Sequence, residues 1–116
     1  MTLLTRDQIL AADDIKSEVV EVPEWGGSVR VRTMTGTARD RLEAQMVASD
    51  GTADTTNVRA KYVAAGIVDE QGEPVFTEGD IAALGKRSCA ALDRVFEAVQ
   101  RLSGVTNKDI EELAKN

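Results

Sequence analysis

Residues 17–43, SEVVEVPEWGGSVRVRTMTGTARDRLE, decide the fold of this chain. Val19, Val20 and Val22 form a β-prone run, and Pro23-Glu24-Trp25-Gly26-Gly27 then reverses direction. Ser28-Val29-Arg30-Val31-Arg32-Thr33-Met34 alternates in polarity, which puts Val29, Val31 and Thr33 on one face of a strand and Arg30, Arg32 and Met34 on the other. Proline cannot donate to a β-ladder and paired glycines permit positive φ, so the segment predicts a hairpin over about residues 17–34. Thr35-Gly36-Thr37 ends the strand, and Thr37 is expected to cap a helix carrying Leu42 and Met46 over about residues 38–49.

Upstream, Thr5-Arg6-Asp7-Gln8 is a capping-box pattern, with a short helix expected through Ala12. Downstream, residues 50–56 (DGTADTT) read as the clearest loop and the expected mobile segment. A helix follows over about residues 58–67, and then two short apolar arms flank the polar turn at Gly72 and Pro74. Three acids in that turn lack the spacing and the closing glutamate of a calcium loop. Thr77 is expected to cap a helix over residues 78–84. Leu92, Val95, Phe96, Val99 and Leu102 then form the best amphipathic stripe, ended by Ser103-Gly104. Thr106 caps a last short helix bearing Ile110 and Leu113. The expected fold class is α+β: one domain over residues 1–116, with the hairpin in front of about four to five helices spanning about residues 37–115.

Composition narrows the function. The 116 residues carry a formal charge of −6, which opposes general affinity for nucleic acid. Residues 28–68 nevertheless hold a balance of +2, led by Arg30, Arg32, Arg39 and Arg41, between two segments of −4 each. A solvated strand face with helix salt bridges is the plainer account of that bias; a docking face for an acidic partner or a neighbouring subunit is the sharper one. With four aromatics in all, aliphatic and alanine side chains must fill the core. Trp25 is expected either to fold down over the hairpin or to stand out as an interface anchor, packing being the commoner outcome. The single cysteine, Cys89, is expected to be a small buried hydrophobe. The absence of histidine removes Ser-His-Asp and Cys-His catalytic devices. No phosphate loop or dinucleotide fingerprint occurs, so no catalytic residue, metal site or cofactor is expected and the chain is not expected to be an enzyme. Neither a secretory signal nor an apolar run long enough for a bilayer span is present, so no membrane association is expected.

The valine run, PEWGG, the V-R-V-R strand and G-T-x-R-D-x-L-E, in that order, resemble the front of tail assembly chaperones of long-tailed, siphovirus-type bacteriophages or prophages. The resemblance extends more loosely through VDEQGEPVFTEGDIAALG and AALDRVFEAVQRLSG to the last helix. It implies a non-catalytic protein that binds the tape measure protein and helps recruit tail tube protein during virion morphogenesis. Such a protein works in the host bacterial cytoplasm and is expected to be absent from the mature virion. On this reading Leu92, Val99, Leu102, Ile110 and Leu113 line a groove for apolar partner segments. Trp25, Arg30 and Arg32 serve homo-oligomer or tube-protein contact. The family also implies a short product and a longer frameshifted form of it; the closing Lys115-Asn116 is compatible with a slippery run of adenines. The alternative is a virion structural protein, such as a head–tail connector or tail terminator subunit.

Overall fold

In a computed structural model of the chain, which describes residues 2–114, the hairpin is the frame on which the helices are hung. Strand β1 (Ser17–Val22) pairs antiparallel with β2 (Gly27–Arg32), with Val20 opposite Val29 and Glu18 opposite Val31. The reversal is a single 3₁₀ turn, Pro23–Trp25, closed by Gly26 at φ 72°, a left-handed conformation that glycine adopts without strain. A third strand, β3 (Ile67–Val68), adds to the far side of β2, giving the order β1-β2-β3. The two apolar arms pair across the turn at Gly72, the Asp69 N–H donating to the Glu73 carbonyl at 2.8 Å, and the first of them also joins the main sheet. Val68 also bridges Pro74 across the turn.

The Thr33 N–H donates to the Lys16 carbonyl at 2.8 Å, and this sets the phase of the ladder. Bonded and non-bonded pairs alternate in an antiparallel pair, so the N–H and C=O groups of Ser17, Val19 and Glu21 face away from β2, along an open edge. Val20, Val22, Val29 and Val31 share the inner face, and Val22 and Val31 are fully buried. Met34 departs from the alternation. The strand stops at Arg32, the Met34 N–H donates to Ser103 Oγ at 2.9 Å, and the side chain turns into the core.

Six α-helices are described: α1 (Arg6–Leu10), α2 (Gly36–Ala44), α3 (Val58–Gly66), α4 (Ile81–Leu84), α5 (Cys89–Ser103) and α6 (Asn107–Ala114). The Thr5/Gln8 capping box forms as the sequence predicts. For α2 the cap is Thr35, whose Oγ1 accepts from the Ala38 N–H at 3.1 Å, two residues before the expected Thr37. That helix also ends early. The Asp50 carboxylate accepts from both the N–H and the hydroxyl of Thr52, and the Asp54 N–H donates to the Met46 carbonyl at 2.7 Å. Such local side-chain bonds compete with helical ones and fold residues 47–53 into a tight bridged turn.

Helix α5 is the central element. Ser88 caps its start, Gly104 closes its end, and Ala91, Leu92, Val95, Ala98 and Val99 are buried against the sheet and α3. Tyr62 of α3 meets Phe96 with ring centroids 5.6 Å apart, tilted by 59°. Cys89 corrects the expectation of burial: it opens α5 on the solvent side, with its thiol 3.5 Å from the Asp93 carboxylate. Thr106 caps α6 through the Asp109 N–H, as the sequence predicts, and Asp109 returns the bond to the Thr106 N–H. The slippage reading at Lys115-Asn116 lies outside the described residues.

Candidate partner-binding surface

The turn at the tip of the hairpin would be a loose place for a contact residue were it not tied down. Arg94 of α5 donates through Nε to both oxygens of Glu24, at 2.9 and 3.1 Å. The Glu24 backbone N–H and then this guanidinium hold its carboxyl below the ordinary range. Two helical turns further along, Arg101 clasps Glu18 with both terminal nitrogens and likewise lowers its pKa. These two pairs tie the start of β1 and the turn that follows it to α5, and Trp25, next to Glu24, inherits a defined position.

Trp25 is half-buried and packs against the core, yet its remaining surface is not idle. It and Phe76 are walls common to two adjoining cavities of about 430 and 380 Å³. The larger lies on the outer side of the sheet and is lined by Val19, Val68 and Val75, with Arg30 at its rim. The smaller continues toward α4, between Ala83, Leu84 and Arg87. Together they form a mainly apolar groove in which Val19 and Val75 remain 56% and 50% exposed. The register explains it: Val19 stands opposite Arg30 and Arg30 opposite Val68, so all three share the outer face of the sheet, where Val68 is buried and Val19 stays open.

The residues singled out in the sequence are not brought together. Trp25 and Arg30 reach this groove, whereas the half-buried Arg32 lines a different cavity and donates to the Gly72 carbonyl at 2.6 Å. Leu92 and Val99 lie in the core, 5% and 0% exposed. Leu102 of α5 and Ile110 and Leu113 of α6 are half-buried and pack against that core. The C-terminal stripe therefore presents no open groove in this conformation. Sequence reasoning missed Val19, Val68, Val75 and Phe76. For Val19 a signal was present, since the alternation that buries Val20 and Val22 in the second half of SEVVEV leaves Val19 outside.

Among the described residues no group of three potential ligands is placed to hold a metal ion, and no helix is long and apolar enough to cross a membrane. No protein-family model matches the chain, and no curated protein matches it. Among solved structures, the tail assembly chaperone of bacteriophage HK97 superposes with a TM-score of 0.55 at 20% sequence identity, over 83% of this chain and 94% of the other. A hairpin-fronted helical array of this kind is thus the fold of a phage tail assembly chaperone.

Proposed function

We propose that the chain is a tail assembly chaperone, the short product of a siphovirus-type phage or prophage, which binds the tape measure protein and helps recruit tail tube protein. The observation that carries this reading is the uncovered apolar groove at Trp25, on a chain that shares its fold with one such chaperone. The groove suits an amphipathic helix laid across it, apolar face down, as in other helix-in-groove recognition. Covering each half-exposed valine is worth on the order of 1 kcal/mol, so affinity comes from several shallow contacts and is readily reversed. That is the energetic character a factor needs if it is to leave the finished particle. The net charge of −6 keeps the complex soluble in the host cytoplasm while the partner's apolar surface is covered.

Co-expression with the tape measure protein tests the proposal. The tape measure protein is expected to remain soluble with the native chain and to precipitate with a Val19→Asp/Val75→Asp variant. Both positions are exposed, so that variant keeps its fold, as circular dichroism will verify. Equal solubility with and without the native chain would sink the assignment. Mass spectrometry of purified particles separates a chaperone, which is missing, from a connector or terminator subunit, which is present in every particle.

A further inference from the structure

Arg32, Arg41 and Lys61 line one cavity of about 310 Å³ between α2, α3 and the segment leading into α4. Among the described residues none of the three has a carboxylate within ion-pair distance, although Arg39, Arg59, Arg94 and Arg101 each do. Lys16, Arg30, Lys86 and Arg87 lack one as well, so what marks this cavity is that three such cations line it together. Lys61 is only 9% exposed. Its ammonium donates to the Gln45 carbonyl at 3.1 Å and retains two further donors. Arg32 meets only the Gly72 carbonyl, and Arg41, near the end of α2, has no partner among the described residues.

Two carboxylates lie nearby, each hydrogen-bonded by a neutral donor and each still carrying its charge, against the three cations. Glu78, the one carboxylate in the lining, accepts from Gln45 Nε2 at 3.1 Å. Asp54 feels the charge of Lys61, but its Oδ1 accepts from the Thr56 N–H at 3.0 Å. Asp54 and the Gln45 carbonyl at the end of α2 give Lys61 part of a counter-charge, and a carboxylate entering the cavity would add to it. Thr35, the cap of α2, and Thr37, in its first turn, also line the cavity and bring the positive end of a nine-residue helix to it. The rest of the wall is apolar, formed by Ala38, Leu42, Ala64 and Ile81.

From this geometry we infer that the cavity is a receptor for a carboxylate on a short apolar stem: an acidic side chain of a partner polypeptide. The volume holds one such side chain, and the apolar wall takes its methylenes while Arg41 and Lys61 take its oxygens. Phe76 is a wall of both this cavity and the Trp25 groove, so a segment lying in the groove passes the mouth of the receptor. The source of the carboxylate rests on the groove's taking a polypeptide, as proposed above. The chemistry of the receptor does not, and is read on the chain alone.

The probe is N-acetylglutamate α-amide, titrated at low salt into the isotope-labelled chain and followed by amide chemical shifts. Its neutral isostere, N-acetylglutamine amide, and inorganic phosphate serve as comparisons. The expected result is saturable shifts at Thr35, Gly36, Thr37 and Lys61 with the glutamate derivative and none with the glutamine one. Arg41→Gln, at an exposed position, should weaken binding about tenfold while leaving the melting temperature unchanged. Absence of shifts, equal shifts with the glutamine derivative, or equal affinity in the variant would overturn the inference. Phosphate shifting the same amides as strongly would overturn the assignment to a carboxylate.

Discussion

At Gly66 the backbone of α3 passes so close to α5 that a methyl group on its Cα would overlap Val99 Cγ2. Alanine normally favours a helix over glycine by about 1 kcal/mol, but here the contact decides. Val99 is fully buried and has nowhere to go, so Gly66→Ala is expected to destabilise the chain by about 1–3 kcal/mol in urea unfolding. Combining it with Val99→Ala should cost less than the two single changes added together, because the second removes the atom the first strikes. Simple additivity would contradict the close approach. Single residues were unevenly legible in the sequence. Trp25 was marked out by its setting in a turn, and its partial packing follows from its size. Lys61 was not: in the string VRAKYVAAG it reads as the polar side of a helix, and only the folding of residues 45–54 over it makes it interior. Thr37 is the cap the sequence predicts, whereas the extended backbone, φ −73° and ψ 163°, falls at Thr35.

Among the elements, the hairpin was the most legible because its signals are local: alternation, one proline and two glycines within sixteen residues. The attachment of β3 to β2 was not, because pairing across more than thirty positions depends on where α2 and α3 bring the chain back. The groove at Trp25 was hidden for the same reason, being assembled from β1, β3, the segment at Val75 and α4. The clamps that tie β1 and the turn after it to α5 belong to this scale and carry a pH dependence. Glu18 and Glu24 both have folded pKa values lowered from 4.5 by their arginine and backbone partners. Their contribution is therefore complete above the ordinary glutamate value and is lost as pH falls through the lowered one. A Glu18→Gln/Glu24→Gln variant should be less stable than the native chain at neutral pH, and its urea midpoint should fall less steeply on acidification below about pH 4.5. Parallel acid profiles would show that the pairs contribute nothing.

For the whole molecule, the radius of gyration of 15.3 Å exceeds the roughly 13 Å of a compact domain of this length. The N-terminal arm accounts for the difference in character: residues 2–12 are all exposed, and Leu3, Leu4, Ile9 and Leu10 stand between 57% and 91% open to solvent. The short helix that the sequence predicts through Ala12 forms, with Ile9 and Leu10 as its apolar positions, but it buries nothing. Periodicity reports which side chains share a face and is silent on whether anything lies opposite. Deleting residues 2–12 is expected to change unfolding free energy by no more than about 0.5 kcal/mol, measured in urea. A larger loss would mean that the arm is part of the folded body.

The open edge of β1 has a consequence for how the protein behaves when concentrated. Ser17, Val19 and Glu21 hold out a row of ungiven amide and carbonyl groups, the template on which fibrils seed. Glu21, exposed at the end of that row, stations a negative charge where an incoming identical ribbon would stack, with Lys16 at the opposite end. The same edge that leaves Val19 free for a guest is thereby kept from recruiting its own kind into a gel.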